Sequence, residues 1–146
     1  MTEFIQIRRA EKRDLLAVKA LIDELENWDS ELASFEAIYA DYLTHPSTLM
    51  YVVEHRNDGL VAFVSCRGQQ LLHHLGMVFE IQELIVTERH RGQGYGRRLV
   101  DTIRAEVQLQ GAKSLEVTSN KRRKEAHVFY QTVGFRNSHE KFTIYF

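Results

Sequence analysis

The chain has 146 residues, 44% of them hydrophobic, and a formal net charge of −1. This length is typical of one domain that needs no disulfide, so we predict a single domain over residues 1–146. The balanced charge argues against a general nucleic-acid coat, and no apolar run reaches the roughly 20 residues of a membrane helix. The lone Cys66 excludes an internal disulfide. Because "MTEFIQIRRA" resembles neither a signal peptide nor a presequence, we expect a cytoplasmic protein.

The first third of the chain predicts a strand and two helices. "FIQIRR" alternates apolar and polar residues, as a strand does. Apolar residues at helical spacing predict a first helix around Leu15, Val18, Ile22 and Leu25 and a second around Phe35, Ile38, Tyr39 and Tyr42. The second helix should end at His45, because Pro46 disfavours helix in the residue before it.

The middle of the chain predicts three antiparallel strands. "LMYVVEHR" and "LVAFVSC" flank "NDG", which is a hairpin signal. "MVFEIQELIV" follows a turn near Gly76 and reads as the third strand.

The last third predicts a strand between two helices and a β-rich tail. Val100, Ile103 and Val107 form a helical stripe that closes at Gly111, and "SLEVTS" reads as a strand. A second stripe, ended by Gly134, comprises Ala126, Phe129, Tyr130 and Val133. "KFTIYF" then predicts an apolar β-rich tail, and the whole order predicts an α/β sandwich on one mixed sheet.

The segment "RHRGQGYGRRLV", Arg89 to Val100, carries three glycines between a strand and a helix. In this geometry backbone N–H groups and the helix dipole converge on a phosphate, and arginines can add charge-assisted bonds. A pyrophosphate is therefore a suitable ligand, with a plain tight turn as the alternative. No Lys-Ser/Thr pair follows, which excludes a nucleotide-triphosphate loop. The dinucleotide fingerprint also fails, because the spacing is G-x-G-x-G and the loop follows three antiparallel strands.

A second segment, "AHVFYQTVGF", follows the glycine loop by roughly 35 residues. Together the two segments resemble the GNAT superfamily of N-acetyltransferases. The match to the family's acetyl-CoA loop rests on Arg91, Gly94 and Gly96, and the match to its later signature on Ala126, Tyr130, Gly134 and Phe135. The resemblance spans the chain and implies an α/β fold of the α+β type: a central mixed, mostly antiparallel sheet flanked by about four helices.

The resemblance implies that acetyl-CoA is the co-substrate. It assigns the pyrophosphate to the loop residues Arg91, Gly92, Gln93, Gly94, Tyr95, Gly96 and Arg97. It assigns a backbone N–H for the thioester oxyanion to the stretch Leu84, Ile85 and Val86, and the pantetheine amides to Asn120. Tyr130 also lies at the cofactor, as the general acid that protonates the departing thiolate; a core tyrosine is the alternative interpretation.

A primary amine has a pKa of about 10.4, so a base or proton relay is needed near neutral pH. The resemblance places a general base at Glu80, through water; Glu83, which lies nearer the loop, is the alternative base. In a regular strand these two side chains point to opposite faces, unless a bulge re-aims the chain. A solvated strand carboxylate is the alternative for each.

Other reactive side chains are predicted to be structural. Cys66 lies in an apolar strand, which indicates a core thiol. His73 and His74 could bind a divalent metal with Glu80, but two histidines near a strand end are more typical of a surface. We therefore predict no metal site.

A narrower likeness concerns the acceptor. "LHH", "EIQEL", "TSN" and "AHVFY" look like aminoalkylphosphonate N-acetyltransferases, whose phosphonate would need a cation such as Arg67, His73 or Arg122. Trp28 with the acidic residues around it could instead hold a cationic amine, so polyamine, aminoglycoside and peptide amines stay open. A non-catalytic acyl-CoA sensor or regulatory module is the alternative from another class.

We expect acetyl-CoA and a small-molecule amine as partners, and neither nucleic acid nor a membrane. We also expect a homodimer, because many relatives pair through C-terminal strands and "KFTIYF" is apolar and edge-like.

Overall fold

The computed structural model describes residues 4–146, so the first three residues of the predicted domain lie outside the described residues. The described elements, in chain order, are β1 (Ile5–Arg9), α1 (Leu15–Glu26), α2 (Leu32–Thr44), β2 (Thr48–His55), β3 (Gly59–Leu71), β4 (Gly76–Val86), α3 (Tyr95–Leu109), β5 (Ser114–Val117) and α4 (Lys124–Thr132). Short 3₁₀ turns precede α1 and follow β4. None of the described helices combines the length and apolar character needed to cross a bilayer.

The strands form one sheet in the order β1-β2-β3-β4-β5. The first four strands pair antiparallel, and β5 pairs parallel to β4. This arrangement confirms the predicted mixed, mostly antiparallel sheet. The hairpin predicted from "NDG" is present, and Gly59 opens β3 with a φ of +74°, a value that glycine adopts without a steric penalty.

Helices cover both faces of the sheet. α1 and α2 lie on one face and bury Val18, Leu21 and Tyr39 in a core with Met50, Val52, Phe63 and Ile85 of the strands. α3 lies on the other face and buries Leu99, Val100, Ile103 and Val107 in a core with Val53, Val64, Cys66, Phe79 and Ile81 of the strands, with Phe129 of α4 beside it. Alternate residues of the central strands therefore supply two separate cores. The buried Cys66 thiol has its pKa raised to about 12 by burial, as a core thiol should.

The helix ends follow the predicted signals. α2 ends at Thr44, and His45 takes an extended conformation before Pro46. α3 ends just before Gly111, whose φ is +78°. Ile38 departs from the predicted stripe of α2: it is 60% exposed, so only the other members face the sheet.

The predicted β-rich tail is wrong as an element of the single chain. Among residues 4–146 no strand follows β5, and four side chains of the tail are largely exposed: Phe142, Ile144, Tyr145 and Phe146. A strand needs a neighbour to satisfy its backbone groups, and the tail pairs with no strand of the chain.

Candidate active site

The two strands at the end of the sheet separate halfway along β4. β5 pairs with β4 only from Val78 to Ile81, whereas β4 continues to Val86 beside β3. The N–H of Thr87 donates to a β3 carbonyl, so alternation turns the backbone N–H groups of Leu84 and Val86 away from β3 and that of Ile85 toward it. Of the three residues predicted for the oxyanion contact, Leu84 and Val86 thus point their backbone N–H groups toward the opening beside β5.

A bulge in β4 places the two predicted carboxylates on one face. Glu83 pairs with Ser65 and Ile81 with Cys66, so Gln82 is the extra residue. Without the bulge Glu80 and Glu83 would lie on opposite faces. Phe79 and Ile81 flank Glu80 and belong to the α3 side, so Glu80 and Glu83 both lie on the face that α1 and α2 cover.

Glu83 is held by two hydroxyl groups. Tyr42 Oη lies 3.1 Å from each carboxylate oxygen, and the Ser65 hydroxyl donates to Oε1 through a short hydrogen bond. Burial and the neighbouring Glu83 charge raise the pKa of Tyr42, so this phenol stays protonated as a donor. Glu83 is therefore a fixed acceptor.

Glu80 has lighter contacts. Its carboxylate accepts a 2.8 Å bond from the Thr118 hydroxyl and a 3.3 Å bond from the Gln82 amide. Thr118 immediately follows β5, so this contact spans the mouth of the opening between the two strands. The half-buried Glu80 carboxylate thus lies at the edge of the opening.

Arg67 is the cation opposite Glu80 in the β3–β4 register. Its Nε donates to Thr48 Oγ1 at 2.9 Å, and Nη2 lies 3.3 Å from Asp41 Oδ2. The guanidinium also stacks over the Tyr42 ring, 4.8 Å from its centroid. These contacts fix a positive charge on the same face as the two carboxylates.

The three loop glycines differ in backbone conformation. Gly92 and Gly94 have φ values of +79° and +82°, in the left-handed region that side chains disfavour. Gly96 has no left-handed φ, and a Cβ there would meet the Phe129 ring at 3.4 Å, an ordinary van der Waals contact. Gly94 caps α3, and no described side chain caps this helix, so its first backbone N–H groups can receive an anion.

Arg91 closes the loop onto the sheet. Its Nε donates to the carbonyl of Val86 at 3.0 Å, and its Nη2 lies 3.5 Å from Glu24 of α1. Glu24 also accepts from Thr87 Oγ1 at 2.7 Å and from the backbone N–H of Glu88 at 3.0 Å. Glu24 thus holds the loop in place. Its carboxylate, one of the acidic groups near Trp28 that were considered for a cationic amine, is already engaged by these contacts. Of the remaining loop residues, Gln93 and Arg97 are exposed and Tyr95 is half-buried.

Tyr130 lies in α4 with only 9% of its surface exposed. Its ring makes edge contacts with Phe129 and Phe135, and its hydroxyl has no hydrogen-bond partner in the described part of the chain. Burial raises the pKa of the phenol, against a smaller opposing effect of Arg123. The group therefore remains a proton donor at neutral pH.

Asn120 lies in the loop between β5 and α4. Its side-chain oxygen accepts the backbone N–H of Arg122 at 2.9 Å, and its carbonyl oxygen contacts His127 Nε2 at 2.8 Å. The Asn120 side chain therefore shapes its own loop, and its amide nitrogen is the group left to meet a pantetheine oxygen.

His73 and His74 lie in the turn between β3 and β4, with ring centroids 4.3 Å apart. Among residues 4–146 no acidic side chain completes a three-ligand cluster with them. Sequence reasoning missed Tyr42 as a functional contact, since it read this residue as part of an apolar stripe. It also missed Ser65, although a serine inside the apolar run "LVAFVSC" is a signal for a buried hydrogen bond.

The chain matches the acetyltransferase (GNAT) domain over residues 46–137. The chain therefore belongs to the GNAT family of acetyltransferases, which confirms the predicted acyltransferase class and acetyl-CoA as co-substrate. It is 35% identical over 138 residues to the aminoalkylphosphonate N-acetyltransferase of Salmonella typhimurium, and the alignment covers 94% of this chain and 89% of that protein.

Solved structures show the same fold. A transcriptional regulator from Bacillus halodurans has a TM-score of 0.88 at 21% identity, covering 97% of this chain and 99% of that one. An acetyltransferase from Trypanosoma brucei has a TM-score of 0.84 at 22% identity, with the same two coverages. At these identities the likeness confirms the predicted architecture alone.

Proposed function

We propose that this enzyme transfers the acetyl group of acetyl-CoA to the primary amine of a small molecule, and that the preferred acceptor is an aminoalkylphosphonate. The observation that carries the proposal is the placement of Arg67 directly opposite Glu80, on the face where the β4 bulge also puts Glu83. A base and a fixed cation on one face suit an acceptor with an amine at one end and an anion at the other. The 35% identity to the Salmonella enzyme supports the same acceptor class.

The reaction requires a neutral amine. Only about one molecule in a few thousand of a free amine with a pKa near 10.4 is neutral at pH 7. In the proposed mechanism Glu80 removes the ammonium proton, directly or through one water, because its carboxylate is the more weakly engaged of the two. Glu83, held by Tyr42 and Ser65, positions the acceptor.

Attack of the amine on the thioester carbonyl forms an oxyanion. The backbone N–H of Leu84 or Val86 is proposed to donate to it, and a preset donor of this kind is worth about 3 kcal/mol in comparable sites. Collapse of the intermediate breaks the C–S bond, expels the CoA thiolate and releases the second nitrogen proton to solvent, from which Tyr130 regains the proton that it gives up. Tyr130 is proposed to protonate this sulfur, since its buried phenol stays protonated and has no other partner among the described residues.

The loop is proposed to bind the pyrophosphate through backbone N–H groups from Gly92 to Arg97, as the uncapped start of α3 and the left-handed glycines favour. Among the candidate cations for the phosphonate, Arg67 lies opposite Glu80, whereas His73 lies in the turn at the far end of the hairpin and Arg122 in an exposed loop. A homodimer and a cytoplasmic location stay predictions.

An assay of CoA thiol release tests the function. The protein is incubated with acetyl-CoA and, in separate reactions, aminoethylphosphonate, propylamine, a polyamine, an aminoglycoside and a lysine peptide. We expect acceptor-dependent thiol release that is fastest with the phosphonate, and a product heavier than the acceptor by one acetyl group in mass spectrometry. Tight acetyl-CoA binding with no release for any acceptor would contradict the proposal and favour the non-catalytic sensor.

A further inference from the structure

Two histidines and one aspartate meet beside the 3₁₀ turn that follows β4. His55 ends β2, Asp58 lies in the turn to β3, and His90 ends the 3₁₀ turn after β4. Their candidate ligand atoms all lie within 4.8 Å of one another. We propose that His55, Asp58 and His90 bind one divalent transition-metal ion of the zinc type, which joins the β2–β3 turn to the segment that enters the acetyl-CoA loop.

The distances are close to those of a metal site. Asp58 Oδ2 lies 2.8 Å from His90 Nε2 and 3.8 Å from His55 Nδ1. Ligand atoms about 2.0 Å from a tetrahedral zinc ion are about 3.3 Å apart. The two Asp58 separations each differ from that value by about 0.5 Å, and the two histidine ligand atoms lie within 4.8 Å of each other, so side-chain rotations must bring the three ligands together. Two imidazoles and one carboxylate are a donor set that suits zinc, cobalt or nickel better than magnesium or calcium.

The burial of His90 fixes its imidazole beside Asp58. The residue is only 6% exposed, and its Nδ1 has no hydrogen-bond partner in the part of the chain that the structure describes. One ring nitrogen faces Asp58, so the other is a buried polar atom without a partner, and such atoms are rare without an ion or water beside them. The nitrogen proposed to bind the ion is Nε2, the one that lies 2.8 Å from Asp58 Oδ2.

His55 is the ligand whose hydrogen bonds must change when the ion binds. Its ring lies 4.9 Å from the His90 ring, and its Nδ1 accepts two 3.2 Å bonds from the backbone N–H groups of Asn57 and Asp58. Coordination through Nδ1 replaces these long bonds with one to the ion. Asn57 and Asp58, which donate these bonds, belong to the turn that the ion would hold in place.

An entry path is present. Asp58 and His90 line a cleft of about 470 Å³, together with Gly59, Glu24, Thr87 and Arg89. The cleft gives an ion access from solvent and leaves room for a water to complete a fourth coordination position. Because His90 is followed by Arg91, which donates to the Val86 carbonyl, the ion would lie at the base of the proposed pyrophosphate loop.

The test is direct binding of metal to the full-length chain after removal of bound metal with a chelator. Zinc chloride is titrated by calorimetry, and cobalt chloride is followed by its visible absorption, which reports coordination by nitrogen and oxygen. We expect one ion per chain. His55→Gln and Asp58→Asn should each weaken zinc binding by about 10- to 100-fold, the scale seen even for the loss of an outer-sphere partner.

The matched control is the double variant His73→Gln/His74→Gln, which removes the other histidine pair of the chain and should bind zinc as the wild type does. Circular dichroism establishes whether each variant is folded. If Asp58→Asn does not fold, His55→Gln alone tests the proposal. Absence of zinc binding by the wild type would overturn the proposal. So would wild-type affinity in a folded His55→Gln protein, or loss of binding in the His73/His74 variant.

Discussion

The Tyr42 hydroxyl donates to the Glu83 carboxylate at 3.1 Å, while the Tyr42 ring lies under the guanidinium of Arg67, the residue that pairs with Glu80 in the sheet register. Tyr42 therefore contributes to the different surroundings of the two carboxylates of β4. Glu83 is engaged by fixed hydroxyl donors, whereas Glu80 accepts hydrogen bonds from the exposed side chains of Thr118 and Gln82 at the strand opening. The difference motivates the distinct roles proposed for the two residues.

Glu80→Gln should lower kcat/KM by about 100-fold near neutral pH, the usual lower range for loss of a general base. The deficit should shrink as the pH approaches the pKa of the acceptor amine, because more of the amine is then already neutral. The measurement is the full pH dependence of kcat/KM for the wild type and the variant with the best acceptor.

Glu83→Gln is the matched control on the same face. Its amide oxygen can still accept from Tyr42 and Ser65, so we expect a raised KM for the acceptor with a pH profile of wild-type shape. If Glu83→Gln shows the pH-dependent loss and Glu80→Gln does not, the two assignments must be exchanged.

Tyr130→Phe should keep the fold and the affinity for acetyl-CoA while lowering kcat by about 100-fold or more. The ring contacts remain, and the hydroxyl has no described partner to leave unsatisfied, so the free energy of unfolding should change little. Because burial raises the pKa of the phenol, wild-type kcat should show no loss from Tyr130 ionisation below the ordinary tyrosine value of about 10. Near wild-type kcat in Tyr130→Phe, under conditions where chemistry limits the rate, would reduce Tyr130 to a core residue.

Gly94→Val should abolish detectable binding of acetyl-CoA by calorimetry. The position has a φ of +82°, so a β-branched side chain both strains the backbone and stands where the pyrophosphate is proposed to lie. Gly111→Val is the control, because Gly111 has a φ of +78° and equally open surroundings at the other end of α3. Both variants should lose about 1–2 kcal/mol of stability, but only the first should lose binding. Equal acetyl-CoA affinity in the two folded variants would remove the loop from the binding site.

The tail supports a prediction about assembly. Phe142, Ile144 and Tyr145 are more than 80% exposed, and β5 leaves one edge of the sheet open. We expect a dimer mass by light scattering at micromolar concentration, and a monomer mass after removal of residues 141–146. A monomer mass for the intact chain would contradict the expected homodimer.

Periodicity and turn chemistry were sufficient to predict nearly every element. The helices of Leu15–Glu26 and Tyr95–Leu109 each bury a stripe at helical spacing, and Pro46 and Gly111 mark helix ends where expected. The tail failed because an alternating apolar run predicts the capacity to form a strand but not the presence of a neighbour.

The candidate site was predictable only in part. The loop glycines and Tyr130 carry recognisable spacing, whereas the bulge at Gln82 has no sequence signal and alone decides that Glu80 and Glu83 share a face. The contacts of Tyr42 and Ser65 with Glu83, and of His90 with Asp58, join residues that lie 18 to 41 positions apart along the chain. Such contacts depend on strand register and helix placement, which cannot be inferred from local sequence patterns.

The most direct measurement of the central claim is a comparison of kcat/KM for aminoethylphosphonate and propylamine in the wild type, in Arg67→Gln and in Arg122→Gln. We predict that the wild type and Arg122→Gln prefer the phosphonate, and that Arg67→Gln loses about 10-fold or more of this preference while its rate with propylamine changes little, because one charge-assisted contact is removed. No acceptor preference in the wild type, or a preference that survives in Arg67→Gln, would contradict the account.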